Sequence, residues 1–483
     1  MTLAELISLD MMPDTDGDTV LTGLTLDSRA VKPGFLFAAL PGLTVNGRDF
    51  VPQAIANGAV AILTDAPLPG VDIPVLVHVD PAGELSRLAA RFYPEQPRFI
   101  AAVTGTNGKS STVDFLRQIW RKAGLDAASL GTLGVARGSN VTETGYTTPD
   151  AVALHRSLDE LARDGVTHLA MEASSHGLKQ KRMHGARVTL AAFTNLTQDH
   201  LDYHPDFDDY FASKMKLFLE LTPPGMPAIV NVDSEWGERV VDQSRTRGLK
   251  VTTVGWNGAD WRVLEITPRA ASQTVRVQID GQTHVIELPL VGEFQTANAI
   301  GAAAMAVASG VDQVLAIEAL GELTGVAGRL EEAARTTDGV PVLVDFAHTP
   351  DGLDKLIRSV RPHTRGRIII VFGCGGDRDP TKRAPMGQIA AKLADVVIVT
   401  DDNPRSEDPA AVRTAIMKGC PDAQEVGDRL EAIRRAVAEA KAGDTILLAG
   451  KGHETGQKIG DRVLPFDDRE AARRVVRESE AAS

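Results

Sequence analysis

The sequence lacks several features that mark particular classes of protein. Only two of its 483 residues are cysteines, Cys374 and Cys420, which excludes a disulfide scaffold and fits a reducing compartment. Its 51 Lys and Arg residues are outnumbered by 64 Asp and Glu residues, and the net charge of −13 provides no global field that would attract nucleic acid. No apolar run approaches the ~18 residues that span a bilayer, and no signal peptide is visible. We therefore expect a cytoplasmic protein with no nucleic-acid partner and no membrane insertion.

The residues that are present indicate a multidomain α/β protein. Hydrophobic residues make up 43% of the chain and charged residues 24%, the balance of an ordinary globular protein. At about 150 residues per domain, the length predicts about three domains. Many of the 44 glycines follow apolar runs, a pattern typical of α/β proteins that bind nucleotides.

Two breaks divide the chain. The segment RFYPEQPRF, with Pro94 and Pro97, interrupts the helical pattern and ends a small α/β unit. A further block begins near Arg329. The predicted domains are residues 1–95, 96–328 and 329–483.

The third block contains four apolar segments that each run into a polar or glycine-rich end. They are PVLVDFAH, RIIIVFGCGG, DVVIVTDDNP and TILLAGKGH. Helical segments between them predict a doubly wound parallel sheet, whose ligands bind beyond the carboxyl ends of the strands. The middle block alternates strands and helices in the same way, and VRVQIDGQTHVIELPL predicts a hairpin that turns at Asp280 and Gly281.

A candidate phosphate loop lies at TGTNGKSS, from Thr104 to Ser111, between a buried strand and a helix. Backbone N–H groups of such a loop point at phosphate oxygens. Lys109 would place its charge on the terminal phosphates, and the Ser110 hydroxyl can reach Mg²⁺. Position 103 is Val where the usual pattern has glycine. The alternative is an ordinary strand–helix turn with a helix-capping lysine.

Polar residues also end two strands of the middle block, at MEASSH and at NLTQDHLDYH. A carboxylate such as Glu172, beside a phosphate loop, is a natural Mg²⁺ ligand, although a salt-bridged surface residue is the alternative. His200 and His204 are four residues apart but lack the H-E-x-x-H pattern of a zinc protease.

Two arginines stand at strand ends of the third block. Arg378 lies in GCGGDRD and Arg405 in DDNPR. Their planar guanidinium groups suit carboxylates, and surface salt bridges are the alternative. Because both follow strands of one predicted sheet, we favour a binding site.

Eight ordered motifs resemble those of the Mur ligases of peptidoglycan synthesis. They are TGTNGKSS, MEASSHGL, TNLTQDHLDYH, GRLE, DFAHTP, FGCGGDRD, DDNPR and AGKGHE. The resemblance spans Leu24 to Asp468. It implies a small N-terminal α/β domain for the UDP-sugar, a central P-loop ATPase with a mostly parallel sheet, and a C-terminal Rossmann-like domain that binds the amino acid.

The resemblance also implies the activity. Family members use ATP and Mg²⁺ to join a carboxylate to an amine through an acyl phosphate. The DDNPR segment is similar to the form that adds meso-diaminopimelate to the D-Glu γ-carboxylate of UDP-MurNAc-L-Ala-D-Glu, and we expect a monomer. Alternatives are a lysine-adding or folylpolyglutamate-synthase-like ligase, or a nucleotide-binding regulator without ligase activity.

The residues that match functional positions of the family fall into four groups. The ATP group is Gly105, Thr106, Asn107, Gly108, Lys109, Ser110, Ser111, Asn298 and Arg329. The group for the UDP-MurNAc-dipeptide has two parts. The positions that match contacts to the UDP end are Leu26, Ser28, Thr44, Val45 and Asn46, and those that match contacts to the muramoyl peptide are Thr147, Thr148, Ser174, Gln180 and Arg182. The diaminopimelate group is Arg378, Asp402, Asn403, Pro404, Arg405, Gly450 and Glu454. The metal group is Ser110, Glu172, His200 and Lys214.

Lys214 matches a lysine that is carbamylated in the family. The modification would replace a positive charge by a negative one and add two oxygens, which creates a metal ligand. Without the resemblance, Lys214 in FASKMKLF would be interpreted as a surface lysine. With it, the catalytic residues implied are Lys109, Glu172, His200 and Lys214. Tyr146, Gln295 and Phe346 depart from the family pattern.

Overall fold

The computed structural model describes residues 1–7, 18–42, 45–138, 140–142, 147–197, 199, 203–269 and 272–482. Three sheets follow one another along the chain, and helices pack on each of them. The predicted fold class, three α/β domains with parallel or mostly parallel sheets, is confirmed. The domain limits after residues 95 and 328 fall between sheets and stay a prediction.

The N-terminal sheet has four parallel strands in chain order. The strands are β1 (Gly23–Thr25), β2 (Phe35–Ala38), β3 (Ala59–Thr64) and β4 (Val75–Val77). The helices are α1 (Leu3–Leu6), α2 (Val51–Ala56) and α3 (Pro81–Phe92). The chain leaves α2 through Gly58, whose φ of 99° suits glycine.

The central sheet has eleven strands among the described residues. They are β5 (Phe99–Thr104), β6 (Ala127–Gly131), β7 (Gly134–Arg137), β8 (Asn140–Thr142), β9 (His168–Glu172), β10 (Leu190–Phe193), β11 (Pro227–Asn231), β12 (Lys250–Gly255), β13 (Trp261–Pro268), β14 (Gln273–Ile279) and β15 (Gln282–Leu288). Their order is β15-β14-β13-β12-β11-β10-β5-β9-β6-β7-β8. The seven strands from β13 to β6 are parallel, and antiparallel strands extend both edges.

The predicted hairpin is confirmed as β14 and β15. Ile279 pairs with Gln282, and Asp280 and Gly281 between them have φ of 49° and 80°, as a tight two-residue turn requires. The edge strands β7 and β8 were not predicted.

Helices cover both faces of the central sheet. They are α4 (Lys109–Lys122), α5 (Ala151–Arg163), α6 (Ser175–Lys179), α7 (Phe207–Lys216), α8 (Glu235–Thr246), α9 (Glu293–Ala308) and α10 (Gln313–Leu320). Phe115 of α4 and Met305 of α9 belong to the hydrophobic core on one face. Leu158 of α5 and Phe211 of α7 belong to the core on the other face. Because the helices pack on the two faces of the sheet, the polar motifs lie at the ends of its strands.

The C-terminal sheet has the order β16-β17-β21-β18-β19-β20. Its strands are β16 (Glu331–Arg335), β17 (Pro341–Asp345), β18 (Ile368–Phe372), β19 (Val396–Val399), β20 (Gln424–Glu425) and β21 (Thr445–Ala449). Its helices are α11 (Pro350–Val360), α12 (Arg383–Leu393), α13 (Pro409–Met417), α14 (Arg429–Glu439) and α15 (Asp468–Ala482). Only β16 is antiparallel to its neighbour, so the predicted doubly wound sheet of four apolar strands is confirmed as β17, β21, β18 and β19.

A separate hairpin, β22 (Gly456–Ile459) with β23 (Arg462–Pro465), follows β21. The sequence analysis did not predict it. None of the helices in the described part of the chain combines the length and the apolar character that crossing a membrane requires.

A buried ion pair joins helices α14 and α15. Arg429 donates from Nε and Nη2 to the two carboxylate oxygens of Asp468, both at 2.7 Å, and the two side chains are 1% and 0% exposed. We expect Asp468→Ala to lower the free energy of unfolding by about 3–5 kcal/mol, because it leaves a buried cation without its partner. Urea denaturation measures this.

The matched control for that prediction is Glu478→Ala, a substitution on the same helix α15. The Glu478 side chain is 44% exposed and forms an ion pair with Arg434. Exposed pairs contribute about 0–1 kcal/mol, so its denaturation midpoint should barely change. Equal destabilisation by the two substitutions would contradict the role of the buried pair.

Candidate active site

The phosphate loop connects β5 to α4 and depends on two glycines. Gly108 has φ of 85°, and a Cβ there would lie 2.3 Å from Oδ1 of Asn298. A Cβ on Gly105 would lie 1.9 Å from Oγ1 of Thr194. Val103 is fully buried within β5, so the strand continues to Thr104 and the loop begins one residue later. Position 103 therefore belongs to the strand and not to the loop.

Lys109 is the first residue of α4, and its ammonium lies over the loop. Nζ donates to the carbonyl oxygens of Gly105 at 2.9 Å and Thr106 at 2.8 Å. Burial lowers the pKa of Lys109, while Glu172 and Asp199 act in the opposite direction. The Nζ of Lys109 therefore lies at the loop, and its role as a phosphate ligand stays a prediction.

Glu172 ends β9 and is 1% exposed. Its Oε1 accepts hydrogen bonds from Ser110 Oγ at 2.9 Å and from the Thr132 N–H at 2.8 Å. Oε2 accepts from Thr132 Oγ1 at 3.2 Å. A Cβ on Gly131 would lie 2.1 Å from Oε1, so the carboxylate fits only beside glycine.

Two of the predicted metal ligands, Ser110 and Glu172, are therefore in contact. Their hydroxyl and carboxylate oxygens are hard donors of the kind that Mg²⁺ prefers, together with water. Among the described residues, no group of three or more His, Cys, Asp or Glu side chains is placed to hold a metal. His200, another predicted ligand, lies outside the described residues.

Lys214 is 1% exposed on α7, which contradicts the interpretation as a surface lysine. Nζ donates to the Gly105 carbonyl oxygen at 2.8 Å and lies 4.4 Å from the centre of the Tyr210 ring. Burial, assisted by the charge of Lys109, holds the pKa of Lys214 well below its ordinary value, and Asp199 only partly opposes this. The side chain therefore lies beside the phosphate loop in surroundings that disfavour its charged form.

Asn298 and Arg329 also lie against the phosphate loop. Arg329 donates from Nη2 to Ser110 Oγ at 3.3 Å, and its buried Nε has no hydrogen-bond partner among the described residues. An unpartnered guanidinium N–H suits an anionic ligand. Gln295 accepts from Asn298 Nδ2 at 3.1 Å, and the Phe346 ring lies 4.5 Å beneath Arg329. These two departures from the family pattern thus contact the predicted ATP residues, whereas Tyr146 lies outside the described residues.

These groups line one cavity of about 650 Å³ between the central and C-terminal domains. The predicted residues in its wall are Thr106, Asn107, Gly108, Lys109, Ser110, Ser111, Thr147, Glu172, Ser174, Lys214, Asn298 and Arg329. The C-terminal domain contributes Asp345 to Thr349 and Lys355. The volume lies within the range of small-molecule and cofactor sites.

Most residues predicted to bind the muramoyl peptide form a network beside Glu172. Thr148 Oγ1 donates to the Glu172 carbonyl oxygen at 3.0 Å and accepts from Ser174 Oγ at 3.0 Å. Arg182 donates to the Thr148 carbonyl oxygen at 2.6 Å and to Gln180 Oε1 at 2.6 Å. Thr147 Oγ1 lies 2.9 Å from Thr132 Oγ1.

Four of the residues predicted for the UDP end are described, and they belong to the N-terminal domain and do not line this cavity. Leu26 is 40% exposed and Val45 is 57% exposed. Ser28 donates to Gln53 Oε1 at 2.9 Å, and Asn46 Oδ1 accepts from the Arg48 N–H at 3.1 Å. Thr44 lies outside the described residues.

The residues predicted for diaminopimelate lie at the carboxyl ends of three neighbouring parallel strands of the C-terminal sheet, β21, β18 and β19. Asn403 Nδ2 donates to Glu454 Oε2 at 2.8 Å, and a Cβ on Gly450 would lie 2.5 Å from Asp402 Oδ2. Arg405 donates from Nη1 to the Gly376 carbonyl oxygen at 2.7 Å. Pro404 is buried and Arg378 is exposed, and this cluster does not line the cavity.

Sequence reasoning missed several residues of the cavity wall. Thr132 holds both oxygens of Glu172, and it follows β6, a parallel neighbour of β9. The position of Thr132 directly after a strand was the sequence feature that could have indicated its place in the site. Asp345 accepts from the N–H groups of Leu330 and Ala347, both at 2.8 Å, and burial raises its pKa.

Comparisons with known proteins agree with this architecture. Residues 20–93 match a model described as "Mur ligase family, catalytic domain", residues 103–306 the Mur ligase middle domain, and residues 328–452 the Mur ligase, glutamate ligase domain. A UDP-N-acetylmuramoyl-L-alanyl-D-glutamate–2,6-diaminopimelate ligase of Bradyrhizobium diazoefficiens is 48% identical over 455 residues, which are 93% of this chain and 94% of the relative.

Solved structures are similar over almost the whole chain. A UDP-N-acetylmuramoyl-L-alanyl-D-glutamate–2,6-diaminopimelate ligase is 31% identical, with a TM-score of 0.72 over 99% of each chain. MurF ligase from Thermotoga maritima in complex with ADP is 17% identical, with a TM-score of 0.66 over 96% of this chain and 99% of that one, and shares the fold. From the three domain matches and the 48% identity, the chain belongs to the Mur ligase family.

Proposed function

We propose that the chain is an ATP-dependent ligase that joins meso-diaminopimelate to the D-Glu γ-carboxylate of UDP-MurNAc-L-Ala-D-Glu, in the synthesis of peptidoglycan precursors. The observation that carries the proposal is the cavity in which the phosphate loop faces the strand ends of the C-terminal domain. The diaminopimelate ligase that is 48% identical to this chain supports the choice of substrates. The protein would act as a cytoplasmic monomer.

The chemistry proceeds in two steps. An oxygen of the γ-carboxylate attacks the γ-phosphorus of ATP, and the bond to ADP breaks to give an acyl phosphate. The amine nitrogen, after its ammonium has lost a proton, then attacks the acyl carbon. The tetrahedral species expels phosphate and leaves the amide. Phosphate leaves readily, whereas the oxygen of an unmodified carboxylate does not.

The chain's own residues would bring two anions together and exclude water. Lys109 and Arg329 offset the repulsion between ATP and the carboxylate, and they hold charge that develops on the transferring phosphoryl group. Asn107, Asn298 and the loop N–H groups orient the nucleotide. The remaining loop residues Gly105, Thr106, Gly108, Ser110 and Ser111 complete the ATP group. Closure of the C-terminal domain over the cavity would protect the acyl phosphate from hydrolysis.

Mg²⁺ would be held by Ser110, Glu172, His200 and a carbamylated Lys214. When bound, the ion supplies positive charge to phosphate oxygens. Carbamylation requires a neutral amine, because only the unprotonated nitrogen has the electron pair that attacks CO₂. The burial that lowers the pKa of Lys214 supplies that form. The nitrogen bonds to the carbon of CO₂ and releases a proton, which leaves a carbamate with two oxygens.

The UDP-MurNAc-dipeptide would lie between the N-terminal domain and Glu172. Thr147, Thr148, Ser174, Gln180 and Arg182 would hold the peptide end, since their network adjoins the metal ligand. The UDP end would contact Leu26, Ser28, Thr44, Val45 and Asn46. The exposed apolar surface of Leu26 and Val45 is compatible with a uracil or ribose face.

Meso-diaminopimelate would bind at the carboxyl ends of strands β21, β18 and β19 of the C-terminal sheet. Its second carboxylate, which lysine lacks, requires a donor, and the guanidinium groups of Arg378 and Arg405 supply planar pairs of N–H groups. Glu454 would pair with the distal ammonium. Asp402, Asn403, Pro404 and Gly450 complete this group.

Arg405 carries a prediction. The wild-type protein is expected to prefer meso-diaminopimelate over L-lysine by at least about 100-fold in kcat/KM, because lysine would leave the guanidinium unpaired in a closed site. Arg405→Ala should lose most of that preference. Kinetics with each amino acid measure it, and Arg474→Ala, which removes a 58% exposed arginine paired with Glu478 on helix α15, is the control.

Phosphate release is the direct test of the proposed function. Purified protein should release phosphate from ATP only when UDP-MurNAc-L-Ala-D-Glu and meso-diaminopimelate are both present. Equal or better use of L-lysine would favour the lysine-adding alternative. Release with a folate substrate in place of the UDP-dipeptide would favour the folylpolyglutamate-synthase-like alternative, and no release with any acceptor would favour the regulator.

A further inference from the structure

Arg405 has an unusual backbone conformation for a residue with a long side chain. Its φ is 51°, in the left-handed region. A residue with a Cβ adopts this region only at an energetic cost, so surrounding contacts must hold it there. We call residues 402–405 the recognition loop, and two sets of contacts hold it from opposite ends.

The hairpin of β22 and β23 holds one side of the recognition loop. The Arg405 N–H donates to the Lys458 carbonyl oxygen at 3.0 Å, and the Gly460 N–H donates to the Arg405 carbonyl oxygen at 2.7 Å. Gln457 Nε2 donates to the Asp402 carbonyl oxygen at 2.7 Å. Gln457 therefore provides a side-chain bond that ties the start of the recognition loop to the hairpin.

Ser406 ties the other end to the loop that carries Arg378. Its Oγ donates to Asp377 Oδ1 at 2.7 Å, and its N–H donates to Asp377 Oδ2 at 3.1 Å. Asp377 also has a left-handed φ, of 51°, and directly precedes Arg378. The bond from Ser406 thus joins the residue after Arg405 to the residue before Arg378.

The two loops pack too closely for side chains between them. A Cβ on Gly376 would lie 1.9 Å from the Pro404 carbonyl oxygen, and one on Gly375 would lie 2.6 Å from Arg405 Nη1. Small shifts of either loop would therefore change the distance between the two guanidinium groups. A ligand with two charged ends is sensitive to that distance.

We propose that Gln457 and Ser406 are positioning residues for amino-acid selectivity, which they set by fixing the separation of Arg405 and Arg378. The inference rests on the proposed function, since the selectivity concerned is that for a diamino dicarboxylate over a diamino monocarboxylate. Neither side chain needs to touch the amino acid. Gln457 acts through the backbone of Asp402, and Ser406 acts through Asp377.

The test compares Ser406→Ala and Gln457→Ala with the wild-type protein in steady-state assays. Each variant should raise KM for meso-diaminopimelate and lower the diaminopimelate-to-lysine ratio of kcat/KM about tenfold, the effect of one orienting hydrogen bond. KM for ATP and for the UDP-dipeptide should stay unchanged, which a general loss of folding would not produce. Ser406→Thr keeps the hydroxyl and should keep the ratio.

Thr381→Ala is the matched control. Thr381 Oγ1 donates to Asp379 Oδ1 at 2.6 Å, a bond of the same kind that stays within the loop of Arg378. The diaminopimelate-to-lysine ratio of kcat/KM of Thr381→Ala should equal that of the wild-type protein.

Two results would overturn the inference alone. One is a selective wild-type protein whose Ser406→Ala and Gln457→Ala variants are equally selective. The other is a parallel rise of all three KM values. A wild-type protein without preference for meso-diaminopimelate would instead contradict the proposed function, and the inference with it.

Discussion

Lys214→Ala is expected to lower ligase turnover by about a thousandfold, because several kcal/mol of charge stabilisation depend on a correctly held metal ion. The structure places Nζ of Lys214 2.8 Å from the Gly105 carbonyl oxygen, beside the phosphate loop. Removal of the side chain would remove the carbamate oxygens from that position. Acetate or formate should restore part of the activity, since a small carboxylate can occupy the vacated space.

The control for Lys214 is Lys216→Ala on the same helix. Lys216 forms a partly exposed ion pair with Glu220 at 2.9 Å and does not line the cavity. It should retain wild-type turnover.

Carbon NMR with isotope-labelled bicarbonate provides a readout that does not depend on activity. A carbamate signal is expected from the wild-type protein and from Lys216→Ala, and not from Lys214→Ala. Full turnover of Lys214→Ala without added carboxylate would contradict the role of the carbamate.

Lys109→Ala is expected to reduce turnover by about 10²–10³-fold, equivalent to about 3–4 kcal/mol of transition-state stabilisation from one preorganised charge. The fold should persist, because the lysine stands at a helix start and the hydrogen bonds of its ammonium to described residues go to the loop carbonyl oxygens of Gly105 and Thr106. Steady-state kinetics measure the loss of turnover, and a thermal melt measures whether the fold persists.

Lys122→Ala is the matched control for Lys109. It lies at the other end of α4 and forms an exposed ion pair with Glu322 at 2.6 Å. Its turnover should be that of the wild-type protein. If Lys109→Ala stayed within about threefold of wild type, far short of the loss of one preorganised charge, the loop would not be the phosphate site.

Local patterns in the sequence predict a large part of the fold. Apolar runs that end in polar or glycine-rich residues predict β5, β17, β18 and β21, because a buried parallel strand needs apolar side chains on both faces. Asp280 and Gly281 predict the turn of the β14–β15 hairpin through their preference for positive φ. The strand ends then predict where polar motifs meet.

The missed features depend on contacts between distant segments. Thr132 bonds to Glu172 forty residues away, and a single threonine carries no local mark of that contact. The burial of Lys214 is also set at a distance, by the Gly105 loop and Asp199, so its sequence was typical of a surface lysine. The hairpin of β22 and β23 has strands of only four residues, GQKI and RVLP, which pair with each other, and Ile459 of β22 also bridges to Arg405 of the recognition loop.

The measurement that tests the central claim most directly follows the oxygen of the γ-carboxylate. UDP-MurNAc-L-Ala-D-Glu labelled with heavy oxygen in that carboxylate is incubated with ATP, meso-diaminopimelate and the protein. Mass spectrometry of the released phosphate should find one labelled oxygen per amide formed, because the carboxylate oxygen that attacks phosphorus leaves with it. Amide formation with unlabelled phosphate would contradict the acyl-phosphate ligase proposed for this chain.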